Sequence, residues 1–290
     1  MLDVYPAPPR PTSRVGAERP RPPPPRAIGA IGLPAARRAG EHGAAMNLLL
    51  VDPGELVSGG LCILRDRRAE HLRSVLGARV GSHVRAGVTG GELGSAEIIA
   101  DDGVAITLRV SLTGAAPAPM PVELVLAIPR PKVLTRVIET AAAFGVARIA
   151  LTNAWRVDKS YLASPRLNAE ALAAAARLGA EQGATTYLPE ITIHPRLMGL
   201  IDARWPGPPS IKLIAHPGAP PIERAILGPA SPTVLAIGPE GGWISREVET
   251  FEERGFVPVS LGAPILRVET AVAAALGQLL VLHRLSEVTA

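Results

Sequence analysis

Two short stretches near the C-terminal end combine residue types that could do chemistry. The first is Ile237-Gly238-Pro239-Glu240-Gly241-Gly242 and the second runs from Leu261-Gly262 through Leu266-Arg267-Val268-Glu269-Thr270. Each follows an apolar, strand-like run and leads into a helix-like one. Glycine-rich turns at strand ends let a backbone approach a ligand closely, and helix N-termini lie nearby. Glu240 narrows the ligand class, because a carboxylate set among loop amides repels phosphate. The pair of loops therefore suits a neutral or partly cationic ligand, with tight structural turns as the competing reading. His216-Pro217-Gly218 ends another strand-like run, and by spacing alone it reads as a turn.

Positioning such loops requires alternating strands and helices, and from residue 122 the sequence has that rhythm. Strands are expected at 122–128, 147–152, 211–215, 234–237 and 257–261. Helices are expected at 133–144, 168–182, 246–254 and 269–285. This alternation specifies a largely parallel sheet covered by helices on both faces. The last helix is apolar on most sides and belongs either in the core or at a subunit interface.

Upstream, residues 46–113 read as short strands separated by glycine turns, with one helix over 68–76, which makes a small β-barrel. Gly87 to Gly94 lies between two of these strands and reads as a hairpin turn. Residues 114–121 carry Pro117, Pro119 and Pro121 and read as a linker, since each proline removes a backbone donor. Residues 1–45 hold ten of the 30 prolines and seven arginines against three acids. They show no apolar period and are expected to be a disordered extension, with Met46 a candidate biological start.

Composition excludes several classes. The net charge of +4 is matched by the excess in residues 1–45, so the remainder is neutral and its overall charge gives no argument for nucleic-acid binding. Only Lys132, Lys159 and Lys212 are lysines. Cys62, the single cysteine, allows no intrachain disulfide, and the six histidines show no ligand spacing, so no metal is expected. No run of about 18 apolar residues suggests a membrane helix. A cytoplasmic location is expected. Walker-type phosphate loops, Gly-x-Ser-x-Gly elbows and His-Glu-x-x-His motifs are absent from the sequence.

The two motifs together, with Ser245, Glu247 and Ala271, resemble those of the 16S ribosomal RNA uracil-N3 methyltransferases of the SPOUT superfamily. Weaker landmarks extend the resemblance from about Met46 to the C-terminal end: Arg67 to Gly81 with His71 and Val75-Leu76, Pro129 to Lys132, Phe144-Gly145-Val146, Arg156, Glu181-Gln182, Pro189-Glu190 and His216-Pro217. The resemblance implies a PUA-like RNA-binding barrel and a trefoil-knotted α/β domain at 122–290. It also implies S-adenosylmethionine as methyl donor, a homodimer, and 16S rRNA or the small ribosomal subunit as partner. Ala215, His216, Gly238, Glu240, Gly241, Gly242, Leu261, Gly262, Leu266 and Thr270 would surround the donor. Arg267 would stabilise negative charge on the base or grip a phosphate. Glu269 would orient Arg267 or take the N3 proton.

Three departures concern RNA contacts. Gly77, Ala184 and Pro264 stand where the family usually carries arginine. They keep open a related enzyme acting on another RNA, or an inactive RNA-binding member of the fold.

Overall fold

The computed structural model describes residues 47–204, 211–225 and 232–289. The extension expected at 1–45 lies outside the described residues. The remainder builds two sheets, one antiparallel for the most part and one wholly parallel.

The first sheet contains β1 (Leu49–Val51), β2 (Leu61–Leu64), β3 (His83–Val88), β4 (Leu93–Asp101) and β5 (Ile106–Gly114), in the order β1-β3-β4-β5-β2. β1 runs parallel to β3, and the other pairs are antiparallel. β3 and β4 form the hairpin expected at Gly87 to Gly94. Helix α1 (Arg67–Ser74) starts at Asp66, whose side chain accepts from the Arg68 N–H at 2.9 Å. Ala69 and Leu72 of α1 pack with Leu64, Ile98, Ile106 and Leu108 on the inner face of the sheet. Cys62 is buried there, and burial pushes its thiol up to about 11, so it is held as an unreactive thiol.

The second sheet contains β6 (Met120–Ala127), β7 (Val146–Thr152), β8 (Glu190–His194), β9 (Ile211–Ala215), β10 (Thr233–Ile237) and β11 (Val257–Val259). Its order is β11-β9-β10-β6-β7-β8, with every pair parallel. Position in that order explains the composition. Central β10 is buried at all five residues and, after Thr233, reads as a continuous apolar run from Val234 to Ile237, because both of its faces are covered. β11 tolerates Pro258 because it is an edge strand. β6 opens at Met120, inside the stretch read as linker, and accommodates Pro121 where its pairing with β7 shifts register.

Helices α2 (Pro131–Ala143), α3 (Ala169–Gly183), α4 (Leu197–Arg204), α5 (Ser245–Glu253) and α6 (Val268–Thr289) flank this sheet. Asn168 caps α3 by accepting from the Ala171 N–H at 2.7 Å. Gly179 and Gly183 lie one turn apart on α3 and face α2. A methyl group at either would stand 2.1 Å from a carbonyl oxygen of α2, that of Glu139 or Ala143. The two helices therefore meet backbone to backbone.

β8 and α4 were not expected from sequence. β8 is an edge strand of mixed polarity between Pro189 and Pro195, and it lacks the apolar run that marks its neighbours. By length and composition α6 could cross a membrane over Val268–Ser286, since averaged hydropathy tolerates the polar interruption at Gln278 that breaks an uninterrupted run. Its Val272, Ala275, Leu276 and Leu279 are nevertheless buried in the same core as β6 and β10.

Polar groups tie the two sheets together. Arg177 of α3 donates to both carboxylate oxygens of Asp52, at 2.8 and 3.0 Å, and to the Leu50 carbonyl at 2.9 Å. Arg67 of α1 donates to buried Glu181 of α3 at 2.8 Å. Arg68 is itself buried and pairs with Glu55 and Asp66 while donating to the Leu50 carbonyl at 2.8 Å. Leu48 and Leu50 pack on Ala180 between these charges.

Candidate active site

Parallel pairing brings the carboxyl ends of all six strands to one edge of the sheet, and a cleft of about 660 Å³ opens there. β6 leads into Arg130, β9 into Ala215-His216-Pro217, β10 into Gly238 to Trp243, and β11 into the segment from Leu261 to Arg267. The first turn of α6 adds Val268 and Glu269. Crevices at strand carboxyl ends are the usual ligand sites of open α/β sheets, and this volume falls within the roughly 300–1,000 Å³ of small-molecule pockets.

Eleven of the twelve residues singled out from sequence line this cleft: Ala215, His216, Gly238, Glu240, Gly241, Gly242, Leu261, Gly262, Leu266, Arg267 and Glu269. Thr270 does not. It stands exposed on α6, one position beyond Glu269. Arg130 and Trp243 also contribute to the lining. A positive charge one residue before the Pro131 that opens α2 was the available signal for Arg130.

The 238–242 loop is held from three directions. The Gly242 N–H closes a turn on the Pro239 carbonyl at 2.8 Å, with Gly242 in the left-handed region at φ +69. Arg156 donates to the Gly241 carbonyl and lies so close that a methyl group on Gly241 would meet its Cδ at 3.0 Å. Glu240 turns its carboxylate to the Arg130 N–H at 2.9 Å, at the positive end of α2. The acid whose charge narrows the ligand class thus also fastens the loop to a helix.

Glu247 has a related role. Buried on α5, it accepts from the Trp155 N–H at 2.8 Å and from the Ile244 N–H at 3.0 Å. The loop after β7 is thereby fixed against the start of α5.

Three groups at the cleft are unengaged. The side chains of Arg267 and Glu269 make no hydrogen bond or ion pair among the described residues, with each other or elsewhere. The Trp243 indole N–H is buried against Gly238 without an acceptor among the described residues, while its ring packs edge-on to Phe251 at 5.1 Å. A buried donor without a partner costs free energy unless a ligand supplies the acceptor. No group of three or more His, Cys, Asp or Glu side chains suited to a metal occurs among the described residues.

Residues 116–280 match the family described as RNA methyltransferase domain. A ribosomal RNA small subunit methyltransferase E from Treponema pallidum is 28% identical over 249 residues, covering 79% of this chain and 89% of that protein. The Borreliella burgdorferi ribosomal RNA small subunit methyltransferase E 1 is 27% identical over 232 residues, covering 79% and 95%. Among solved structures, a Legionella pneumophila protein in complex with the bound cofactor SAM superposes with a TM-score of 0.68 at 25% identity, covering 81% of this chain and 97% of that one. A Neisseria gonorrhoeae ribosomal RNA small subunit methyltransferase E bound to S-adenosyl methionine gives 0.66 at 23% identity and supports the fold. With the match spanning more than half of its length, this chain belongs to the RNA methyltransferase domain family.

Proposed function

We propose that the protein is an S-adenosylmethionine-dependent methyltransferase that methylates N3 of a uridine in small-subunit ribosomal RNA. The observation that carries this is the cleft itself, which gathers a glycine loop, an indole donor, an arginine and a glutamate, the last three without partners among the described residues. S-adenosylmethionine, when bound, would supply an electrophilic methyl group next to these residues. The backbone at Gly238 to Gly242 and at Leu261-Gly262, with Ala215, His216 and Leu266, would hold it.

Uracil N3 must lose a proton as it attacks, and charge then builds on the base. Arg267, immediately before α6 and without an ion pair among the described residues, would stabilise that charge. Glu269, in the first turn of α6, makes no bond to Arg267, so it is available to accept the proton from N3. Much of the rate enhancement comes from alignment of N3 with the methyl carbon, which a loop fastened by Arg156, Glu240 and Gly242 supports.

The same reading takes the 46–113 barrel as RNA-contacting, the 122–290 domain as trefoil-knotted, and the protein as a cytoplasmic homodimer. Leu280 and Val281 on α6 are 40% and 52% exposed, which favours a covering subunit. A second reading, the same chemistry on another RNA, draws on the absence of arginine at 77, 184 and 264.

Calorimetry and mass mapping test the proposal together. The wild type should bind S-adenosylmethionine, and Gly241→Arg should abolish binding by filling the space beside Arg156. Uridines in 16S rRNA should lose an N3 methyl in a strain lacking the gene and regain it on complementation. Unimpaired donor binding by the variant would overturn the loop assignment. Methylation confined to another RNA would select the second reading.

A further inference from the structure

The loop after β7 presents Trp155 with 80% of its surface exposed, beside a cleft edged by exposed cations. We propose that Trp155 is a stacking platform for an unpaired RNA base next to the nucleotide in the cleft, a positioning role that rests on the RNA-methyltransferase reading above.

Three observations support it. First, the indole is exposed while its backbone is immobilised: the Trp155 N–H bonds buried Glu247, and the next residue, Arg156, bonds the Gly241 carbonyl. A large apolar ring held out on a fixed backbone loses little conformational freedom when it stacks. Second, the placement fits. β7 neighbours β6, which neighbours β10, so at about 4.8 Å per strand the ends of β7 and β10 lie about 10 Å apart. Trp155 therefore stands to one side of the reacting position, where an adjoining nucleotide would pass. Third, the charge is complementary. Arg130 and Arg267 line the cleft, and Arg156 and Lys159 flank Trp155, all four exposed. Asp158, Glu240 and Glu269 are the acids here: Asp158 accepts from the Ser160 N–H and hydroxyl, Glu240 accepts from the Arg130 N–H, and Glu269 lies inside the cleft on the first turn of α6 rather than beside Trp155. An exposed aromatic interleaved with arginine and lysine is the pattern that binds single-stranded nucleic acid by stacking and phosphate contact.

The test compares the full chain with Trp155→Ala and Trp155→Phe. Methylation of small-subunit rRNA gives KM and kcat, calorimetry gives the affinity for S-adenosylmethionine, and light scattering gives the mass in solution. Trp155→Ala should raise the RNA KM about tenfold or more, the usual effect of removing one stacked base. Its kcat at saturating RNA, donor affinity and mass should match the wild type, and Trp155→Phe should recover most of the loss. An unchanged KM in Trp155→Ala, or a Phe variant as weak as Ala, overturns the proposal. So does a fall in mass, which would make Trp155 a protein contact. Failure of the wild type to act on any RNA would instead remove the function on which the proposal rests.

Discussion

The junction between the two sheets and the cleft at the strand ends use the same residue types in opposite ways. At the junction Arg67, Arg68 and Arg177 are each paired with a carboxylate, and two of them also donate to the Leu50 carbonyl. At the cleft, Arg267 and Glu269 are two residues apart and engage neither each other nor any other described group. Burying a charge is costly unless it is paired, so charges with a structural role are paired within the fold. Charges left open at a concave surface bear the mark of a site that finds its partners in a ligand.

That contrast can be broken at either end. Arg68→Ala strips a partner from Glu55 and Asp66 and leaves the Leu50 carbonyl with one donor fewer. It should cost about 3–5 kcal/mol in denaturant unfolding, with turnover per folded molecule unchanged. Arg267→Ala should do the reverse, cutting kcat by roughly 10²–10³ with the melting temperature and donor affinity intact. Equal losses of stability from both would erase the distinction.

A smaller effect is expected with pH. Hydrogen bonds from Arg68 hold Glu55 below the usual glutamate range. At Asp52 burial pulls upward, but the hydrogen bonds from Arg177 and Thr89 outweigh it, and Asp66 is lowered in the same way by Arg68. A carboxylate whose folded pKa is depressed contributes stability above its unfolded pKa and loses it as pH falls through the folded value. Stability should therefore decline below roughly pH 4, and less steeply in Arg68→Ala, as urea midpoints across an acid series would report.

Smallest is Ala184→Gly. Ala184 ends α3 at φ 54, a left-handed conformation that suits glycine. Relief of that strain should raise stability by about 0.5–1 kcal/mol, whereas a loss would show that the methyl contact with the Leu48 and Leu50 cluster matters more.

Much of the cleft was legible in the sequence because its residues come in two short runs at the ends of strongly apolar strands. Local pattern alone located β10 and the loops beside it. What escaped was contact across the chain. Arg177 and Asp52 are 125 residues apart, and neither position signals the other. Glu240 was read from its neighbours in sequence, which predicted a ligand preference, while its bond to the Arg130 N–H crosses 110 residues. β8 was missed for a different reason: an edge strand exposed to solvent needs no apolar run.

The glycines at 179 and 183 have a mechanical consequence. With α2 and α3 touching at their backbones, there is no layer of side chains between them to deform. α2 meets the cleft through Arg130 and Glu240, and α3 meets the first sheet through Arg177 and Glu181. The pair therefore acts as a calliper of set opening between the two ends of the molecule.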